Sequence, residues 1–339
     1  MQRKDQPNLA VTTPFYFPLP NGRYEVKPGL FKFPYGFGNP LVDEKVFQID
    51  ALASTYREEK LRARRERLEK YYCSHNFSET AARAINQFII DALIEQYPQF
   101  FQLTKRKDRF LLYCALTKET LNCDRQFRLL ETALGNKLTP AYRDTFDALA
   151  CQIQEDLSVV SLDRHGDDYV AALHLCLPNH WAATDKIGQQ FISVHEPVPH
   201  MEEINSHAQQ LSHAMLHKSP FVRFAWGLAT DTRLNHHPVA PTDVAPRRWQ
   251  GRRFNPAQAE LYLRVERQTI HGFPAASCVL FTIRTYFYDV HTLAQVPEQR
   301  SQLLSAIRSM SGNSLDYKGL KDDKAAIIAW LENMVTGDW

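Results

Sequence analysis

The sequence predicts an α+β protein, an antiparallel sheet flanked by helices with further helical elements toward both ends. Three observations carry this. Residues 157–162 and 169–175 read as strands returning around the turn Arg164-His165-Gly166-Asp167-Asp168. Residues 260–269 alternate apolar and polar side chains, and 278–288 form a second, more apolar run across a Gly272-Phe273-Pro274 turn. Helical apolar periodicity brackets these strands without the regular strand–helix alternation of a doubly wound sheet.

In chain order, residues 12–46 are rich in Pro, Gly and aromatics, as in Pro14-Phe15-Tyr16-Phe17-Pro18. Pro and Gly at this density forbid a long helix, and the many rings point to an extended arm laid over a core. Residues 50–72 read as a charged helix whose three- and four-residue opposite-charge pairs suggest a solvated face. Ser78 is the expected N-cap of a helix running to Gln96, with Ile85, Phe88, Ile89 and Leu93 as its apolar stripe. Helical patterns follow at 119–133 and 139–154. Beyond the first hairpin come a short helix through Phe191–Val194, stopped by Pro197 and Pro199, and another over 201–217. Helices at 297–309 and 321–335 close the chain. The resulting division is an arm over 1–48, a mainly helical region over 49–155, a sheet-bearing core over 156–290 and packed C-terminal helices over 291–339.

Composition sets limits on function. The 339 residues are 44% hydrophobic and 23% charged, enough apolar material for a sizeable core. A net charge of +2 from 40 basic and 38 acidic residues argues against nucleic acid or an anionic membrane as the main partner. The N-terminus lacks a signal-peptide core and no apolar run is long enough to span a bilayer, so the cytoplasm is the expected compartment. The six cysteines show no C-x-x-C spacing, which disfavours a zinc ribbon, a dithiol or an Fe–S cluster bound within the chain. No G-x-G-x-x-G, G-x-x-x-x-G-K-[ST] or G-x-S-x-G is present, so any nicotinamide or flavin step belongs on another chain.

Most of the 13 histidines fall between His165 and His271. His213 and His217 share a helix face but lack a third ligand, and His236-His237 reads as a solvent-facing pair in a polar loop. His195, in Ile192-Ser193-Val194-His195-Glu196-Pro197-Val198-Pro199, stands where a helix runs into a proline-stiffened corner. A histidine there is either a hydrogen-bonded core residue or a neutral imidazole of the kind an axial haem ligand requires. Cys176 is the rival ligand. On the strand Arg264-Val265-Glu266-Arg267-Gln268, the residues Arg264, Glu266 and Gln268 share one face and Val265 and Arg267 the other. That triplet is either solvated or a buried ionic site, with Arg284 on the neighbouring strand and Arg223 and Trp226 as further members. Arg247, Arg248, Arg252 and Arg253 form a basic cluster around Trp249.

These residues also resemble a known family. Leu30-Phe31-Lys32 with Pro34, Cys176-Leu177-Pro178-Asn179-His180-Trp181, Lys186-Ile187-Gly188, Val194–Pro199, Arg264–Thr269 and Phe281–Tyr286 occur in the order found in haem-dependent oxidative N-demethylase alpha subunits. The resemblance implies a PAS-like haem-binding core, b-type haem, and oxidation of a secondary methylamine such as dimethylamine to the primary amine and formaldehyde. It further implies dioxygen as oxidant, electrons from NAD(P)H through FMN and [2Fe-2S] on a partner reductase subunit, and a folate-handling subunit. On it, His195 becomes the expected iron ligand, with Cys176 and His180 reduced to structural support. Arg223, Arg264, Arg267 and Arg284 become candidate haem-binding residues, and Glu266 the candidate for holding the amine or moving a proton. A haem-based gas or redox sensor and a haem-free assembly subunit are the competing classes, although no output module accompanies the core.

Overall fold

The computed structural model describes residues 13–132, 138–250 and 253–334. Strand β1 (Phe31–Lys32) lies in the aromatic arm, and helix α1 (Ala53–Tyr71) runs straight into β2 (Tyr72–Ser74). After α2 (Glu79–Gln96) come β3 (Phe101–Lys105), β4 (Arg109–Cys114), β5 (Glu119–Asp124), β6 (Leu129–Thr132) and the short α3 (Thr145–Ala150). The hairpin β7 (Asp156–Leu162) and β8 (Asp168–His174) leads into α4 (Ala183–Lys186), α5 (Phe191–His195), α6 (Glu202–Ser206) and α7 (Ala208–His217). Then follow β9 (Phe221–Ala229), α8 (Pro246–Trp249), β10 (Tyr262–Phe273) and β11 (Cys278–Asp289). The C-terminal part holds α9 (Val290–Ala294), α10 (Pro297–Ser309), α11 (Gly312–Tyr317) and α12 (Lys324–Asn333).

The strands form two antiparallel sheets, a large one in the order β1-β9-β10-β11-β7-β8-β2 and a small one in the order β3-β4-β5-β6. Within the large sheet, Glu266 stands between Ala225 and Thr285, and Arg267 between Phe224 and Arg284. Because side chains alternate along a strand, this register decides which residues meet. One face carries Leu157, Val159, Leu263, Val265, Leu280 and Tyr286, all buried, and is covered by the arm and by helices from both halves of the chain. Each such side chain contributes roughly 1.5–3 kcal/mol of burial free energy, so this face is the dry core. The opposite face is left to the cavity described below.

Both expected hairpin pairs form, β7 with β8 and β10 with β11. The Ser78 cap also forms, its side chain accepting from Ala81 N. The arm packs as a cover, with Tyr16, Leu19, Val46 and Phe47 buried.

Three expectations are corrected. The stretch 119–133 is not helical where described: it supplies β5 and β6, because Leu121 and Cys123 turn inward at strand spacing and pair across to β4. Residue 133 lies outside the described residues, as do the first 12 residues, Arg252 and the end of the last expected helix at 335. The helix expected over 139–154 shrinks to α3, whose N-cap Asp144 accepts from Asp147 N. Finally, the charged helix 50–72 is not simply a solvated face. Lys60, Arg64 and Lys70 are buried: Lys60 Nζ reaches Ala150 O at 2.9 Å, and Arg64 pairs twice with Asp147 at 2.9 and 2.8 Å. Local pairing alone could not reveal partners more than eighty residues away. Among the described residues no helix is long and apolar enough to cross a membrane.

Candidate functional site

A cavity of about 1490 Å³ opens on the second face of the large sheet and continues under the arm, where Tyr16, Leu19, Phe37, Phe224 and Trp226 also line it. It exceeds the roughly 300–1,000 Å³ of ordinary small-ligand pockets. Its floor is the alternate set of strand residues: Ser158 and Val160 on β7, Phe281 and Ile283 on β11, Arg264, Glu266 and Gln268 on β10, and Arg223 on β9. Helices α5 to α7 wall one side through Phe191, His195, Met201 and Met215. The end of α11 and the turn after it contribute Tyr317 and Lys318.

His195 is the last residue of the short α5. Its Nδ1 lies 2.8 Å from Phe191 O, one helical turn back. A carbonyl only accepts, so Nδ1 carries the proton and Nε2 keeps its lone pair. Burial lowers the imidazole pKa, and the nearby Arg223 and Lys186 push the same way against the helping carbonyl, so the ring is neutral. Lys186 also donates to Val194 O at 2.6 Å, which fixes the end of α5. A neutral imidazole with its second nitrogen tied to a backbone carbonyl is how proteins present a histidine to a metal.

The floor is strongly cationic. Arg264 pairs with Glu266 and donates to Thr285 Oγ1 at 3.2 Å, while Gln268 donates to the other Glu266 oxygen at 3.0 Å. Burial acts to raise the Glu266 pKa, yet Arg264 and Gln268 outweigh it and hold the carboxyl below its usual range. Lys318 Nζ donates to Trp226 O at 2.9 Å, and burial brings its pKa down to about 8 against the pull of Glu266. The Nε of Arg223 and that of Arg264 have no hydrogen-bond partner. Three cations thus surround one carboxylate whose oxygens are both taken. Buried charge without a counter-charge is costly, so this wall is built to receive an anion.

The other candidates separate by strand face. Arg267 and Arg284 do not line the cavity: strand alternation puts them on the dry face, which removes both from the haem-binding set. Arg267 donates to the carbonyls of Asp43, Lys45 and Val46 at 3.1, 2.8 and 3.3 Å, clamping the arm. Arg284 pairs with Asp50 at 2.8 Å and lies over the ring of Tyr56. Cys176 is fully buried away from the cavity, its Sγ 3.8 Å from His174 Nδ1. Burial raises its pKa, leaving a thiol. Asp147, Cys151 and His174 bring ligand-type atoms within 4.8 Å of one another. Asp147 already takes Arg64 twice, so that cluster is an ion network with its cation in place. His213 and His217 are exposed, and Arg253 of the basic cluster pairs with Asp322 and Asp323 instead.

Three histidines differ from expectation, His237 among them because it is buried beside His236. His180 lines the cavity instead of merely supporting the corner, and its backbone is left-handed, with φ of 61°. His236 is not solvent-facing; it is buried, lines the same cavity and bonds through Nε2 to Asp231 Oδ1 at 2.9 Å. Asp231 and Lys318 were not distinguishable in the sequence, and His236 was read there as solvent-facing. Each sits in a polar loop, and only the return of those loops over the sheet gives them a common cavity.

A family model described as haem-dependent oxidative N-demethylase, alpha subunit-like, matches residues 39–328. The chain belongs to this family. The match runs from the end of the arm into α12 and so includes the cavity-lining strands β7 to β11. The residues fit the group that the family's description names. A b-type haem is a broad apolar plate with two carboxylates and an iron that takes imidazole. The cavity supplies the volume, an apolar stretch through Val160, Phe191, Phe281 and Ile283, a cationic wall with orphaned guanidinium nitrogens, and a neutral histidine.

Proposed function

We propose that this chain is the haem-carrying subunit of an oxidative N-demethylase acting on a small secondary methylamine, dimethylamine yielding methylamine and formaldehyde. Dioxygen is the oxidant, and electrons come from NAD(P)H through FMN and [2Fe-2S] on a partner subunit, with a folate-handling subunit taking the formaldehyde. Haem supplies the oxidising chemistry when bound; the protein supplies its orientation and electrostatics.

The observation that carries the reading is His195, neutral, fixed through Nδ1, and set in a cavity with a net positive wall. His195 would hold the iron, and Arg223 and Arg264, with Lys318 nearby, would hold the propionates. Glu266, offered by the sequence for the substrate ammonium, has both oxygens engaged; its first task is to orient Arg264. The five-strand order β9-β10-β11-β7-β8, with α4 to α7 inserted between the hairpin and β9, supports a PAS-like core over 156–290.

The test is the visible spectrum of the purified protein after haemin addition, with and without dimethylamine. We expect stoichiometric haem and an amine-dependent change in the ferric spectrum. His195→Ala should lose the axial signature; full haem content with an unchanged spectrum would refute the ligand assignment. Haem binding without any amine response would favour the sensor class, and a protein that takes up no haemin would sink the proposal.

A further inference from the structure

His180 and His236 face each other in the cavity with ring centroids 5.2 Å apart. They are held by backbone, Asn179 bridging to His236, with His180 N donating to His236 O at 2.9 Å and His236 N to Pro178 O at 3.0 Å. Asp231 is ionised: burial acts to raise its pKa, but His236 and Arg233 outweigh that and hold it at about 2. A carboxylate accepts, so His236 Nε2 is the N–H and Nδ1 the lone pair. That Nδ1 is buried and has no hydrogen-bond partner, on a residue only 5% exposed. An orphaned buried acceptor lining a cavity calls for a donor.

His180 presents a second acceptor. Burial, then His236, Arg264 and Arg233, lower its pKa to about 4, so one ring nitrogen carries a lone pair at neutral pH. Its φ of 61° is uncommon for a residue with a Cβ and costs of order 1–3 kcal/mol. The charges acting on both rings are Arg264 and Arg233 against Asp231, and the direction of the site is set by the two imidazole lone pairs.

We propose that His180 and His236, backed by Asp231, form the subsite that binds the N–H groups of a protonated secondary amine. Two N–H···N bonds of about 2.9 Å diverging from one tetrahedral nitrogen require acceptors about 4.7 Å apart, a spacing that the facing rings can offer. A dialkylammonium has two such donors, a trialkylammonium one, and a neutral ether none. Trp181, next to His180, lines the same cavity and offers apolar contact to the alkyl groups. This deepens the amine reading of the same cavity and rests on it; the distinguishing point is that the amine site is separate from the iron ligand and from Glu266.

The experiment is calorimetric titration of dimethylammonium chloride into the haemin-loaded protein and into the protein without haem, with haem content measured on the same samples. His236→Leu and His180→Gly are compared with wild type. His180→Gly relieves the left-handed backbone, so its melting temperature should hold or rise. We expect both variants to weaken dimethylammonium binding at least tenfold, as fits loss of a hydrogen bond to a charged group, with haem content unchanged. Dimethyl ether should bind equally to all three. Wild-type affinity for dimethylammonium in a folded His180→Gly protein overturns the subsite, as does a wild type that binds no dimethylammonium in either form. A wild type that takes up no haem but loses amine binding on His180→Gly would refute the haem function and leave the subsite standing.

Discussion

Replacing Arg223 by Met separates a cofactor-binding charge from a structural one. Arg223 faces the cavity from β9, opposite Gln268, and its Nε has no partner. Burial lowers its pKa, and Glu266 is the acid that opposes this, but both Glu266 oxygens are already engaged by Arg264 and Gln268. Met keeps an unbranched apolar stem while removing a poorly compensated, half-buried charge. Desolvating an ion without a hydrogen-bonded counter-charge costs several kcal/mol, so Arg223→Met should raise the stability of the haem-free protein by about 2 kcal/mol. The loaded protein should respond in the opposite sense. Losing one charge-assisted contact to a carboxylate costs about 1.5–3 kcal/mol, or roughly 10- to 150-fold in haem affinity. Urea unfolding of the haem-free protein reads the first quantity, and a Soret-band haemin titration the second. A variant that is less stable without haem and binds haem as tightly as wild type would refute the anion-receiving wall.

Two other perturbations test the frame around the site. A Cβ added at Gly272 would lie 2.1 Å from Leu216 O, where α7 packs on β10; Gly272→Ala should therefore cost about 3 kcal/mol in urea unfolding, and a cost under about 1 kcal/mol would mean that contact is not present. Asp231, at about 2 against about 4 in an unfolded chain, contributes stability that is fully present above about pH 4 and is lost as pH falls through about 2. With its side chain 26% exposed the amount is about 2 kcal/mol, so Asp231→Asn should flatten the acid limb of the unfolding profile by that much; superimposable profiles would show that the pairing with His236 and Arg233 is absent.

Much of the sheet was legible because its signals are local. The hairpin at 156–174 and the pair β10 and β11 announce themselves through alternation and turn residues, and alternation alone predicted that Arg264, Glu266 and Gln268 share a face apart from Arg267. The small sheet was illegible for the opposite reason. Residues 119–132 carry enough apolar spacing to suit either period, and pairing with β4 decides between them. The same holds for α1, whose inward lysines and arginine look solvated until the carbonyls and Asp147 that receive them are in place.

By itself, then, the sequence determined the α+β class, the order of the main strands, the proline corner at His195 and, through its ordered motifs, the family. The tertiary structure alone decided which residues share the cavity. It sent Arg267 to the arm and Arg284 to Asp50, brought His236 and Lys318 in from distant loops, and turned His180 from a support into a lining residue. The physical reason is that periodicity assigns a side chain to a face. Which face is dry and which encloses a cavity depends on where non-local segments return.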